Sequence, residues 1–253
     1  MVFFETLLVA LSTYSSLPVP QFEWNEKNMR YAICCFPAVG VICAGALLLW
    51  NWLCCRLQVG GVMFAAVAVA LPLLITGGIH MDGFMDTVDA LASHQSRERK
   101  LEILKDSACG AFAVLYCGVY LLLHFGVFFA VCEAGTAAYY APVYVLSRAL
   151  SALCAVTMPN ARKAGMLCAF TENAHKKRAT SAMAVLAALT AAVMIWLEPA
   201  CGGMAVLAAG GAVLGYRRMA MKQFGGVTGD TSGFFLQLCE LAALLGVWLG
   251  GLL

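Results

Sequence analysis

Acidic side chains suited to metal chemistry are concentrated in one stretch of the chain, GGIHMDGFMDTVDAL at 77–91. Asp82, Asp86 and Asp89 are spaced four and three residues apart, so a helix over 81–91 places them along one stripe. Like charges on one helical face repel each other, and apolar residues lie between these acids. Hard divalent cations prefer carboxylate oxygens. The stretch therefore predicts a cation site, with a solvated acidic patch at a helix end as the alternative.

The following segment, RERKLEILKDS at 97–107, adds acids and cations. A helix near 96–107 brings Glu102 and Asp106 together at positions i and i+4, with Lys105 close by. Carboxylates beside basic residues suit phosphate-bearing substrates, because metal ions can bridge phosphate oxygens. The two segments together predict phosphoryl chemistry at the end of an apolar helix.

A glycine-rich loop near the C-terminus, KQFGGVTGDTSG at 222–233, is the second polar cluster. Such a loop leading into a helix can bind phosphate through backbone N–H groups, although it can also be a simple turn. Asp230 within it is either a fifth acid of the site or a helix cap.

Two further polar residues stand in apolar surroundings. Arg148, in YAPVYVLSRALSAL, should face the protein interior or a polar cavity, and a snorkelling or structurally paired arginine is the alternative. His80 comes two residues before Asp82, so we expect it to contact substrate.

The composition indicates which kind of structure positions these residues, namely a bundle of membrane-spanning helices. The chain has 253 residues, 62% hydrophobic and 12% charged, with a mean hydropathy of +0.83, which is far from a soluble domain. The net charge of +2 argues against a nucleic-acid partner. We predict an all-α, polytopic membrane protein with a single catalytic domain over 1–253 and an interfacial helix over 2–16. The predicted spans are 31–55, 59–78, 108–131, 136–158, 179–198, 201–216 and 233–253.

Basic residues support that span count. With seven spans, 14 of the 16 Lys and Arg residues fall on one side, in segments 17–30, 79–107, 159–178 and 217–232. The positive-inside rule predicts that these loops and the N-terminus face the cytoplasm, with the C-terminus outside.

Several motifs, taken together, resemble the adenosylcobinamide-GDP ribazoletransferase family, the membrane cobalamin synthases. They are LPVP at 17–20, FPAVG at 36–40, the stretch at 77–91, RERKLEILKDSACGAF at 97–112, SR at 147–148 and GGVTGDTSG at 225–233. The chain departs from the family's pattern at three positions. Ala108 and Ser16 each stand where the family usually has Arg, and Ala90 stands where it usually has Gly.

The resemblance implies a reaction that joins adenosylcobinamide-GDP to α-ribazole, or its 5′-phosphate, and releases GMP. It implies that Mg²⁺ is held by four aspartates, namely Asp82, Asp86, Asp89 and Asp106. One of these aspartates, or Glu102, is expected to accept the proton of the attacking hydroxyl. It also implies substrate contacts from His80, Lys105, Ser107, Arg148, Lys222, Thr228 and Asp230. The expected location is the cytoplasmic (inner) membrane, within a lipid bilayer. Self-association or association with other corrinoid-pathway enzymes is a further expectation.

Two other classes of protein remain open from the residues. A CDP-alcohol phosphatidyltransferase groups similar aspartates but requires D-G-x-x-A-R, whereas Asp86-Thr87 follows Asp82-Gly83 here. An ion-coupled transporter also carries acids within its spans, but near the membrane midplane and often within inverted repeats. The acids here gather at the predicted cytoplasmic edge and we find no internal repeat, which favours an enzyme supplied from the cytosol.

Overall fold

The fold is a bundle of helices, as the composition predicts. The computed structural model describes residues 2–20, 22–23, 25–106 and 108–253. The α-helices in chain order are α1 (Val2–Tyr14), α2 (Glu26–Met29), α3 (Phe36–Leu57), α4 (Gly61–Thr76), α5 (Ile79–Ala92), α6 (Arg97–Ile103), α7 (Ala111–Glu133), α8 (Val143–Thr157), α9 (Met166–Asn173), α10 (Lys176–Leu197), α11 (Pro199–Gln223) and α12 (Gly229–Gly250). Short 3₁₀ turns at Ala32–Cys35 and Ala137–Tyr140 lead into α3 and α8.

The helices long and apolar enough to cross a membrane agree with the predicted spans. Within the described residues there are six, or seven if the bent pair α4–α5 counts as one span. The span predicted at 201–216 is longer than expected, because α11 extends over Pro199–Gln223. The last helix begins at Gly229, four residues before the predicted start at 233, because the glycine-rich loop ends in its first turn.

The second predicted span does not continue straight into the aspartate stretch. Helix α4 ends at Thr76, and α5 leaves it at an angle of 94°. Gly77 and Gly78 make the bend with φ of 64° and 79°, a region that glycine adopts without steric cost. The N–H groups of both glycines donate to the carbonyl of Leu73, which ends α4. The helix predicted over 81–91 is therefore confirmed, but as a separate element.

Helix α5 lies against the N-terminal half of α12 at two points of close backbone approach. A Cβ atom on Gly83 would lie 2.8 Å from the carbonyl oxygen of Asp230, and one on Gly233 would lie 2.8 Å from that of His80. Only glycine fits this closely without displacing its neighbour. The crossing brings the aspartate-bearing helix beside the glycine-rich loop, which begins 130 residues after the end of that helix.

The four basic segments lie at one end of the bundle, as a seven-span topology requires. Hydrogen bonds join pairs of these segments or their flanking residues: Arg178 to Tyr31, Arg162 to Leu101, and Lys100 to Gln223. Helix α1 packs at the same end, where Val9 is fully buried in a cluster with Met29, Ala32 and Phe170. The helix expected over 2–16 is thus present, and it packs on the bundle.

Candidate active site

A cavity of about 210 Å³ lies at the end of the bundle that carries the basic segments. The ends of α1 and α8 and the beginnings of α3, α5, α9 and α12 form its walls, together with the 3₁₀ turn before α3 and part of the loop after α8. Besides Ser151, Asn160 and Ser232, five polar residues line it, and we name them the polar wall: His80, Asp82, Arg162, Thr228 and Asp230. Four of these five residues belong to the predicted site, and Arg162 does not.

The predicted aspartate stripe lies along α5 and approaches the cavity. Asp82, in the first turn of α5, is exposed and lines the cavity, whereas Asp86, one turn later, is half-buried. Asp86 interacts electrostatically with three like charges, Asp82, Asp89 and Asp230, and with one opposite charge, Arg162. Asp230 is thus the acid that the fold adds to the stripe.

Arg162 joins the glycine-rich loop to the loop after α8. Its Nη1 atom lies 3.3 Å from Oδ2 of Asp230, and its Nη2 atom donates to the carbonyl of Leu101 at 3.0 Å. The two loops pair as a short parallel bridge, in which Val227 N–H donates to Pro159 and Ala161 N–H donates to Val227. Sequence reasoning counted Arg162 only among the cytoplasmic charges. The one feature of the sequence that could have indicated a site role for Arg162 is its position just after Pro159 and Asn160, where a predicted span ends.

The glycine-rich loop passes directly into α12, as predicted. A Cβ atom on Gly226 would overlap the carbonyl oxygen of Pro159, so the bridge requires glycine there. Thr228 caps α12, accepting from the N–H of Thr231 at 3.1 Å, while Thr231 Oγ1 accepts from the N–H of Thr228 at 2.9 Å. The helix cap is therefore Thr228, and Asp230 is free to pair with Arg162.

Asp89 serves the neighbouring helix. Its two carboxylate oxygens accept from the backbone N–H groups of Gly110, at 2.5 Å, and Ala113, at 2.8 Å. These are among the N–H groups at the start of α7 that have no partner within that helix. The carboxylate also lies at the positive end of the helix dipole. Its geometry is that of a helix cap rather than of a free metal ligand.

Arg148 is not among the residues that line the cavity, and it lies in a buried ion pair. Its Nη1 atom is 2.6 Å from Oε1 of Glu240 on α12, and the two side chains are 1% and 2% exposed. The same nitrogen donates to the carbonyl of Tyr144 at 2.9 Å. Arg148 thus forms a structural pair between α8 and α12, which is the alternative that the sequence left open, and its contact with phosphate remains a prediction.

The other predicted site residues that the structure describes are not among those that line the cavity. Asp106 accepts from the N–H of Ala108 at 3.0 Å, and Glu102 pairs with Arg99 at 2.7 Å on the exposed face of α6. Lys105 and Lys222 are exposed. Ser107 lies outside the described residues. The roles expected for these residues remain predictions.

Like Arg162, whose Nε atom is buried without a described hydrogen-bond partner, His80 is a polar residue of the cavity with an unpaired nitrogen. It is 7% exposed, and its ring packs edge-on against Phe36 with centroids 5.4 Å apart. Its Nε2 atom is buried without a hydrogen-bond partner among the described residues. A buried polar atom left unpaired is costly, so a ligand in the cavity is its natural partner.

The charge and donor chemistry of the cavity suit a divalent cation. Asp82, Asp86 and Asp230 are carboxylates that repel one another, and Arg162 compensates only one of the three charges. Within the part of the chain that the structure describes, no three His, Cys, Asp or Glu side chains are already close enough to hold one metal ion.

The bundle is that of a multi-pass membrane protein, and the cavity at one of its ends is the candidate active site. Comparison with known families is consistent with that class. The family model described as cobalamin-5-phosphate synthase matches residues 6–248, and the chain belongs to this family. The resemblance inferred from the motifs is thereby confirmed.

Curated relatives carry the name adenosylcobinamide-GDP ribazoletransferase. The chain is 42% identical to the protein of Lachnoclostridium phytofermentans, with 96% of this chain and 92% of the relative covered. It is 34% identical to that of Pseudomonas entomophila, covering 94% and 96%, and 30% identical to that of Clostridium botulinum strain Alaska E43, covering 97% and 98%. These names favour a ribazoletransferase over the phosphatidyltransferase and transporter alternatives. No solved structure matches the chain.

Proposed function

We propose that this protein joins adenosylcobinamide-GDP to α-ribazole, or to its 5′-phosphate, to give adenosylcobalamin or its 5′-phosphate and GMP. The names of the relatives supply the reaction class. The observation that carries the proposal is the convergence of Asp82, Asp230 and Arg162 on one cavity from three separate parts of the chain.

In the proposed reaction, the 3′-hydroxyl oxygen of the nucleoside forms a bond to the cobinamide-side phosphorus. The bond from that phosphorus to the oxygen of GMP breaks, and GMP leaves with the electron pair. The hydroxyl proton passes to a carboxylate of the cavity, for which Asp82 is best placed because it is exposed there without an ion-pair partner among the described residues. Glu102, the other expected acceptor, is paired with Arg99.

The basic side chain and the backbone N–H groups of the polar wall position the diphosphate of adenosylcobinamide-GDP. Arg162 presents a planar guanidinium that can bind two phosphate oxygens at once. The start of α12 at Thr228 and Gly229 contributes the positive end of a helix dipole. Holding the reacting groups in line is most of what phosphoryl transfer requires of a protein.

We further propose that Mg²⁺ is required, held by Asp82, Asp86 and Asp230. When bound, the ion would neutralise charge on the phosphate oxygens. Support comes from the three repelling carboxylates around a single arginine. Asp230 enters this set in place of Asp89, whose oxygens cap α7. Asp106, the fourth expected ligand, has no described contact with the cluster.

We also propose that the protein resides in the cytoplasmic membrane with the cavity facing the cytoplasm. The multi-pass helices are those of a membrane protein. The contacts among the basic segments support the orientation, since positively charged loops are retained in the cytoplasm.

The direct test is to incubate the purified protein with adenosylcobinamide-GDP, α-ribazole and Mg²⁺ and to measure GMP. We expect GMP in proportion to the corrinoid product. Arg162→Met should abolish most of the release, whereas Arg218→Met, the same change at an exposed arginine that does not line the cavity, is the matched control and should retain it. Absence of GMP with wild-type protein, or release of CMP from a CDP-alcohol, would contradict the proposal.

A further inference from the structure

Helix α6 (Arg97–Ile103) has no residue among those that line the cavity, but it contacts both loops that contribute to the polar wall. The carbonyl of Leu101 accepts from Nη2 of Arg162, in the loop after α8, at 3.0 Å. Nη2 of Arg97 donates at 3.3 Å to the carbonyl of Met221, at the end of α11, which leads into the glycine-rich loop. Helix α6 therefore joins the two loops through one hydrogen bond to each.

Arg97 fixes the direction in which the chain leaves α11. The carbonyl of Met221 is one of the last four of that helix, which have no partner within it, and the negative end of the helix dipole lies there. The guanidinium of Arg97 supplies both a donor and a positive charge. It also lies against the backbone of Gly225, where φ is 79° and a Cβ atom would be 2.8 Å from Nη1 of Arg97. The glycine-rich loop therefore starts in contact with this side chain.

Lys100 makes the second contact between α6 and α11. It is 6% exposed although it carries a positive charge, and its Nζ atom donates to Oε1 of Gln223 at 2.5 Å. Among the described residues, no carboxylate lies within ion-pair distance of this ammonium. Burying a charge is costly, and here an amide oxygen and the negative end of the α11 dipole compensate it. Lys100 and Arg97 therefore stabilise the same helix end.

An apolar cluster completes this junction. Leu104, which follows α6, and Phe224, which follows α11, are buried together with Ala90 of α5. Ala161, in the loop after α8, packs against the cluster, and its N–H donates to the carbonyl of Val227 in the glycine-rich loop. The junction thus gathers the ends of α5, α6 and α11 and the loop after α8.

The position of the Asp230–Arg162 pair depends on this junction from both sides. Nη1 of Arg162 is 3.3 Å from Oδ2 of Asp230, while its Nη2 atom donates to Leu101 of α6. Asp230 follows Gly225 by five residues. A shift of the loop at Gly225 would therefore move Asp230 relative to Arg162, whose own position α6 helps to set.

We infer that Arg97 and Lys100 are positioning residues for the reaction, because they hold the end of α11 so that the glycine-rich loop presents Asp230 to Arg162 in the cavity. Neither residue lines the cavity, so both act through the loop. The inference rests on the proposed function for its effect on catalysis, whereas the placement of the loop can be measured without any substrate.

Hydrogen–deuterium exchange of the protein without substrates tests the placement of the loop. The variants are Arg97→Met and Lys100→Met, and the matched controls are Arg218→Met and Lys177→Met, the same changes at exposed cations of α11 and α10. In both α6 variants, peptides over 224–232 should exchange at least ~10-fold faster than in the wild type, because the hydrogen bonds of the loop open more often. Unchanged exchange in both variants, or equal acceleration in the controls, would overturn the inference.

GMP release tests the effect on the reaction and separates positioning from general destabilisation. Lys100→Met should lower kcat/KM at least ~10-fold per folded molecule. In an Asp230→Asn background the same change should lower kcat/KM less than ~3-fold further, because the effects of residues that act through one another are not additive. A full, independent loss in that background would show that Lys100 does not act through Asp230 and would overturn the inference.

Failure to fold and failure of the proposed function are both distinguishable from failure of the inference. Arg97 is exposed, so Arg97→Met leaves the buried junction intact and provides the same tests if Lys100→Met does not fold. If the wild-type protein releases no GMP, the proposed function fails. Faster exchange in the variants then still supports the role of α6 in holding the loop, and equal exchange still overturns it.

Discussion

Replacing Arg148 with Met should strongly destabilise the protein, because the buried carboxylate of Glu240 would lose its positively charged partner. Arg148 and Glu240 are 1% and 2% exposed and 2.6 Å apart. Without the guanidinium, Glu240 retains a side-chain hydrogen bond from Ser147 at 3.1 Å, which does not neutralise it. Removing one partner of a buried pair costs about 3–5 kcal/mol. A loss of about 4 kcal/mol lowers the ratio of folded to unfolded protein roughly a thousandfold.

The double change Arg148→Met with Glu240→Leu should recover most of that stability. Apolar side chains of similar volume often replace a buried ion pair at little cost or with a gain. The free energy of unfolding would be measured for both single variants and the double variant by titration with SDS in mixed micelles, which completes a double-mutant cycle. The exposed pair Arg99–Glu102, whose side chains are 63% and 60% exposed, is the control, and Arg99→Met should cost less than about 1 kcal/mol.

GMP release per folded molecule decides between a structural and a phosphate-binding arginine. A structural pair predicts that the double variant, once folded, is active. A double variant as stable as the wild type but inactive would refute this reasoning and return Arg148 to the substrate. An Arg148→Met protein of wild-type stability would refute the energetic argument itself.

Three further predictions concern the acids and the topology. Asp82→Asn and Asp86→Asn should each lower kcat/KM at least ~10²-fold, with EDTA abolishing wild-type activity and Mg²⁺ restoring it; full activity in EDTA would exclude the metal. Asp89→Asn should lower the free energy of unfolding by about 1 kcal/mol through loss of a helix cap, with little change in activity per folded molecule. A weakened Mg²⁺ dependence in that variant would instead place Asp89 at the metal. Single cysteines at Ser96 and Ala174, in a protein without its native cysteines, should both react from the cytoplasmic side; labelling from opposite sides would contradict the seven-span topology.

The amino-acid sequence determines the class of this protein and most of its helices. Long apolar runs indicate membrane spans whatever their neighbours are, because each must satisfy its backbone hydrogen bonds within itself. The positions of the basic residues between the spans can also be read directly from the sequence. They correctly predicted that the four basic segments lie at one end of the bundle. The aspartate stripe on 81–91 follows from helical periodicity alone, and it is confirmed in α5.

Tertiary structure decides which side chains meet. The bend at Gly77-Gly78 turns α5 across α12, so Asp230 joins the acids of the stripe and Arg162 becomes their counter-charge. Sequence periodicity reports the face of one helix, but not which distant residue packs against it.

The same limit applies to two residues that the sequence assigned to chemistry and whose described contacts are structural. An aspartate that caps a helix 21 residues later looks in sequence like one more acid of a metal site, as Asp89 does. An arginine paired with Glu240, 92 residues away, looks like an unpaired charge in a membrane span. Burial and pairing depend on contacts between segments far apart in the chain, and only the packed bundle supplies those contacts.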